Sequence, residues 1–195
     1  MNQTPLDAVF HAIDAINQQD PNIEQVDGSE QPKELIYGQR MTRQQQQFCP
    51  EASPELQIAC RAQHIKRWAS PRSDYPMDRA GYKKWRTELG RFHADLTVEL
   101  MQQQGFDQTS QDRVHSLLQK KQLKRDPEAQ ALEDVICLVF LEYYLEPFAA
   151  KHSEEKLISI IQKTWNKMSD QGHSAALALD LPEAMGELVG KALNA

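Results

Sequence analysis

Apolar residues along this chain recur every three to four positions, the helical interval, and no strand-like alternation of useful length interrupts them. Leu6, Val9, Phe10, Ile13 and Ile16 follow Thr4-Pro5, a cap and first-turn proline, and predict a helix closed by Asp20-Pro21. The polar stretch 22–31 reads as a loop leading into a helix from Pro32 to about Phe48. Ser53-Pro54 opens the next helix, in which Leu56, Cys60, His64 and Trp68 recur every four residues and place His64 on the buried stripe. That helix ends before Pro71. Asp78 caps a long helix to about Gln104, with Trp85, Leu89, Phe92, Leu96 and Leu100 inward, His93 on the edge of that stripe and Gly105 as the stop. A shorter helix over 110–121 uses Val114, Leu117 and Leu118.

Asp126-Pro127 begins the most hydrophobic element, which runs to about Glu146 and is apolar all round over 135–141, the mark of a central helix. Asp134 shares a line with Ala131, Leu138, Leu141 and Leu145, and Glu133 shares one with Cys137, Phe140 and Tyr144, so a Glu-Asp pair enters the core helix near its amino-terminal end. Segments 153–168 and 182–193 bring the total to about eight helices. The expected fold is all-α, one multi-helix domain over 1–195 with no internal repeat.

A length of 195 residues with 40% hydrophobic content suits one such domain with a sizeable core. The amino terminus lacks a basic start followed by an apolar region, and no apolar stretch approaches membrane-spanning length. Cys49, Cys60 and Cys137 form an odd set without CxxC spacing, which argues against disulfides or a cysteine zinc site and predicts a cytoplasmic protein. Net charge is −6, yet residues 61–91 hold nine Lys/Arg against three acids. A locally basic stretch in an acidic chain suits an anionic ligand better than nucleic-acid coating.

Three potential metal ligands, His64, His93 and Asp134, fall on the apolar faces of three predicted helices, and buried polar groups of this kind need partners. Their separations of 29 and 41 residues exclude a local loop site, so they are expected to converge through helix packing. Two imidazoles with one or two carboxylates suit Mn, Fe, Ni or Zn better than Mg or Ca. Each residue alone is as well explained by a backbone or side-chain partner. The proline-punctuated segment 71–79 joins the two histidine-bearing helices. In and around it Arg67, Arg72 and Arg79 are candidates to grip phosphate, and Trp68, Tyr75 and Tyr82 to stack on or cap a ligand.

The strings PKELIYGQRMT (32–42), RAQHIKRWASPRSDYPMDRAGYKKWR (61–86), KKQLKRDPEAQALEDVICLVFLE (120–142) and KTWNKMSDQGH (163–173) closely resemble the family called domain of unknown function 4202. Some members carry a label relating them to glutamyl-tRNA synthetase. Lys167-Met168-Ser169 is similar to the first half of a synthetase KMSKS loop, but Asp170-Gln171 replaces the rest and an all-helical chain offers no nucleotide-binding α/β domain. A more distant resemblance is to HD-domain phosphohydrolases, in which a His, a His-Asp doublet and a final Asp hold divalent metal. On that resemblance His64 is the first ligand, His93 the doublet histidine and Asp134 the last aspartate. Ala94 stands in place of the doublet aspartate, leaving Glu133 as the residue to supply a carboxylate or act as base. The resemblance implies an HD-like, metal-dependent phosphohydrolase of a small phosphorylated molecule or nucleotide. The alternative is a non-catalytic nucleotide- or RNA-binding module with structural histidines.

Overall fold

The Thr4 hydroxyl accepts from the Asp7 N–H while the Asp7 carboxylate accepts from the Thr4 N–H. This reciprocal cap, with Pro5 in the first turn, starts α1 (Pro5–Asn17) where the sequence places it. The computed structural model describes residues 3–123 and 125–194, and its contacts gather into two units, Met1–Gln122 and Leu123–Ala195. Among the described residues there are ten α-helices and one two-stranded hairpin, so the mostly helical expectation holds and the expected count of about eight does not.

The first unit departs from expectation at 22–31. Strands β1 (Ile23–Val26) and β2 (Ser29–Pro32) pair antiparallel, with Val26 opposite Ser29. The two-residue turn between them has Asp27 at φ 50° and Gly28 at φ 78°. Two left-handed residues match the right-handed twist of a hairpin, and Asp-Gly adopts them at low cost. Strands of only four residues explain why no alternation was legible.

Helix α2 (Lys33–Phe48) has no side-chain cap of its own kind at Pro32, but the buried Asp20 carboxylate accepts from the Glu34 N–H at 3.0 Å and serves as a remote cap. Ser53 caps α3 (Pro54–Ala62). Arg61, near the end of α3, forks onto both carboxylate oxygens of Asp14 in α1 and also donates to Thr42 in α2, tying three helices together. Asp78 caps α4 (Arg79–Gln103), and Asp107 caps α5 (Gln108–Leu118).

The helix expected to run to Pro71 stops at Ala62, so His64 lies in a turn rather than on a helical stripe. The chain reverses at Lys66, whose φ of 50° is left-handed, and continues as a single 3-10 turn, Arg67–Ala69. Asn17, buried at the end of α1, accepts the Lys66 N–H at 2.9 Å and donates to the Glu34 carbonyl at 3.3 Å. Capture of that backbone by a side chain from another helix overrides the four-residue spacing that carried the pattern onward.

In the second unit, α6 (Pro127–Val139) is capped by Asp126 and passes through a π turn, Phe140–Tyr144, into α7 (Leu145–Ala149). The widened turn lies just before Pro147, whose ring and missing N–H conflict with a regular helical ladder. Helix α8 (Glu154–Trp165) precedes α9 (Asp170–Leu177), an element without a marked apolar stripe, and α10 (Glu183–Asn194) follows. Helix α9 is anchored rather than intrinsically favoured. Ser169 caps it by accepting from the Gly172 N–H at 3.0 Å, and the Ser169 hydroxyl donates to the buried Asp134 carboxylate at 2.6 Å. Among the described residues no helix is long and apolar enough to cross a membrane, and Cys49, Cys60 and Cys137 form no disulfide.

Gly172 lies against Asp134 so closely that a Cβ would meet Oδ1 at 2.5 Å and Cγ at 2.8 Å. Gly172→Ala is expected to destabilise the protein by about 1–3 kcal/mol through overpacking. Gly186→Ala, in α10 where a Cβ meets nothing within 4 Å, is expected to stabilise it by up to about 1 kcal/mol. Thermal melts of both variants check this contrast, and an unchanged melting temperature for Gly172→Ala would show that α9 does not rest on Asp134.

Candidate functional site

The turn after α3 brings His64 against α2, where Glu34 and Tyr37, three residues apart, share a face. The His64 ring stacks on Tyr37 with centroids 3.8 Å apart and planes 12° from parallel. Its Nδ1 lies 3.1 Å from Glu34 Oε2, and its Nε2 lies 2.7 Å from Arg67 Nη1. A guanidinium can only donate. Nε2 is therefore the acceptor, Nδ1 carries the proton, and that proton is donated to Glu34. Arg67 Nε is also 4.0 Å from Glu34 Oε1, and its guanidinium lies 5.1 Å from the Trp85 ring.

Burial pushes the Glu34 carboxyl up to about 7, although Arg67 and Lys33 pull it down. Burial also drives His64 well below the usual histidine range, helped by Arg67, Arg86, Lys120 and Lys33. Glu34 therefore titrates near neutrality behind an imidazole that stays neutral.

His93 stands on α4, facing the same turn from the other side. Its Nδ1 is 2.8 Å from the Ile65 carbonyl, which can only accept, so Nδ1 is the donor. Its Nε2 is buried and has no hydrogen-bond partner among the described residues. The two imidazole centroids are 6.3 Å apart. Burial holds His93 at about 3, reinforced by His64, Arg67 and Arg86 and opposed by the bond to Ile65.

Both histidines line a cavity of about 210 Å³ in the first unit. Arg67, Arg86 and Lys120 bring three cationic side chains to its wall, and no carboxylate among the described residues lines it. Arg86 is seven residues before His93 on α4 and so shares its face. Gly90, between them, contributes no side chain and leaves the cavity open; a Cβ there would meet only the Leu118 carbonyl, at 3.5 Å. Lys120 enters from the turn after α5 with a left-handed φ of 54°, a strained backbone for a residue other than glycine.

The other expected site residues have different surroundings. Arg72 donates to the carbonyls of Tyr75 at 3.0 Å and Asp78 at 3.3 Å and approaches the Tyr82 ring at 6.0 Å, so it braces the proline-punctuated segment. Arg79 is exposed at the first position of α4, and neither arginine lines the cavity. The Tyr75 hydroxyl donates to Glu88 at 2.7 Å, Tyr82 tilts against Trp85 with centroids 5.9 Å apart, and Trp68 is half-buried.

Asp134 and Glu133 belong to the second unit. Asp134 accepts from the Ser169 N–H at 2.8 Å, the Ser169 hydroxyl at 2.6 Å and Gln130 at 3.2 Å. Glu133 is buried with an oxygen 3.6 Å from Lys167 Nζ. Among the described residues no group of three or more His, Cys, Asp or Glu is placed to hold a metal ion. Both His64 nitrogens and both Asp134 oxygens have hydrogen-bond partners within their own units. Sequence reasoning passed over Glu34, which comes from another helix; Arg86 and Lys120 belong to two basic runs that the sequence offers as possible phosphate contacts and as a solvated turn or opposite pocket wall.

These features define a mostly helical protein with a cationic cavity walled by two neutral histidines. The family model described as domain of unknown function (DUF4202) matches residues 7–189, and the chain belongs to that family. No curated protein and no solved structure matches the chain.

Two of the perturbed groups, His93 and Glu34, act on stability in opposite directions. His93 is held at about 3 against an ordinary 6.5, so the folded protein binds fewer protons than the unfolded chain between those values. The stability this represents, on the order of 4–5 kcal/mol, is present above pH 6.5 and lost as pH falls toward 3. Glu34 is raised from 4.5 to about 7, so its burial penalty is full above 7 and relieved as pH falls to 4.5. Below 4.5 only the histidine effect remains of the two. His93→Asn keeps a donor for Ile65 and removes the titrating nitrogen, so its urea-denaturation free energy is expected to fall less steeply than wild type between pH 4.5 and 3. Equal slopes would show that His93 is not buried in the neutral form.

Proposed function

We propose that this protein binds a small phosphorylated molecule as a non-catalytic module, with the phosphoryl group seated in the cavity beside His93. The observation that carries the reading is the set of three cationic side chains, Arg67, Arg86 and Lys120, on a wall without a carboxylate among the described residues. Arg67 and Lys120 are partly buried and Arg86 is exposed, and charges withdrawn from water attract an oxyanion more strongly than the same charges on an open surface. At about 210 Å³ the cavity is below the ~300–1,000 Å³ common for drug-sized ligands, so it suits a phosphoryl group rather than an entire nucleotide, whose base would lie outside. A net charge of −6 for the whole chain favours a small ligand over an RNA.

Calorimetric titration with a panel of phosphorylated metabolites tests the reading. Arg86→Ala is expected to lose about 1.5–3 kcal/mol of binding, and Arg86→Lys to recover part of it by retaining charge without the fork. Arg72→Ala separates this cavity from the phosphate grip expected of the 71–79 segment. It should bind nearly as wild type does. Absence of binding by any phosphorylated compound at millimolar concentration would end the proposal.

A second reading keeps the HD-like, metal-dependent phosphohydrolase, with His64, His93 and Asp134 as ligands and Glu133 assisting. The observation in its favour is the unpartnered, unprotonated Nε2 of His93, the form of imidazole that a metal takes. It requires His64 to release Arg67 and Asp134 to release Ser169. Metal content of protein purified without chelator, measured in wild type and His93→Asn, distinguishes it: the hydrolase reading expects near-stoichiometric metal in wild type only.

A further inference from the structure

Charge is only part of what this cavity demands of a ligand. The Ile65 carbonyl fixes the His93 tautomer by taking the Nδ1 proton, which leaves Nε2 as an acceptor. That nitrogen is buried and unpartnered, and a buried acceptor without a donor is costly. Its neighbours do not supply the missing proton. The His64 proton goes to Glu34, and the other His64 nitrogen accepts from Arg67. Arg86, on α4 with His93, and Lys120, in the turn after α5, line the cavity without bonding to Nε2, and the Arg86 charge opposes protonation of His93. The donor has to come from the ligand.

We propose that the cavity selects an oxyanion bearing its own proton, inorganic phosphate or a phosphate monoester in its P–OH form, over a fully deprotonated oxyanion such as sulfate, with the P–OH donating to His93 Nε2. This rests on the phosphate-site reading above. Sulfate at neutral pH satisfies the three cations equally well, but it sets an oxygen lone pair against the Nε2 lone pair. A site whose buried polar group is matched by one ligand and left unpaired by another discriminates strongly between them. No bond is made or broken; the proton remains on phosphate and is shared in a hydrogen bond.

The test is calorimetric titration of the full chain with inorganic phosphate and with sulfate at pH 7 and fixed ionic strength. Wild type is expected to bind phosphate at least about tenfold more tightly than sulfate. His93→Asn keeps the donor to Ile65, and its ratio should fall to near one. A second measurement uses wild type alone: the ¹⁵N resonance of His93 Nε2 should move upfield on adding phosphate and stay in place with sulfate. It decides the matter if His93→Asn does not fold. Sulfate binding as tightly as phosphate would overturn the selection and leave the anion site standing. Failure of both anions to bind would remove the site and the selection together. A preference that survives in folded His93→Asn would show that this histidine is not its source.

Discussion

One buried amide holds the site together. Asn17 takes the Lys66 N–H and gives a hydrogen to the Glu34 carbonyl, so the end of α1 pins the turn after α3 to the start of α2. Lys66 is left-handed there, a conformation that a lysine does not choose unaided. Once the turn is fixed, His64 meets Glu34 and Tyr37, and the Ile65 carbonyl is presented to His93 on α4. The remote cap from Asp20 to Glu34 strengthens the same junction. A cavity wall drawn from several separate elements thus depends on few backbone hydrogen bonds, each made by a buried side chain.

Electrostatics around the cavity follow from that arrangement. Arg67 is close enough to Glu34 and His64 to engage both, while Arg86 and Lys120 also reach the wall. Two imidazoles surrounded by cations and withdrawn from water stay neutral, and a neutral imidazole has one donor and one acceptor nitrogen. Three of the four imidazole nitrogens are satisfied by the protein. The fourth, His93 Nε2, is the chemical remainder of the fold.

Asp134 is a buried carboxylate that fixes the start of a helix. It accepts the Ser169 N–H and hydroxyl at the entrance to α9, and Gly172 leaves room for it. A short helix without a marked apolar stripe gains from this a defined start. The expectation of a metal ligand at Asp134 came from correct recognition that the side chain is buried. Which partner meets it was a separate question, and a serine 35 residues onward supplied the answer.

The sequence by itself determined the mostly helical class, the starts of α1, α3, α4 and α6 at their Thr, Ser and Asp caps, and the family, because capping chemistry and apolar periodicity act over a few residues. It also determined that His93 would be buried, since Leu89 and its neighbours on α4 carry a clear stripe. Tertiary structure alone decided that α3 ends two residues before His64, that Glu34 from another helix holds that histidine, and that Lys120 joins Arg67 and Arg86 at one cavity. These outcomes depend on contacts between residues 14 to 49 positions apart, as from Asp20 to Glu34 or from Asn17 to Lys66, and a local pattern carries no record of them. A periodic stripe says that a side chain goes inward. Only the packed chain says what it meets there.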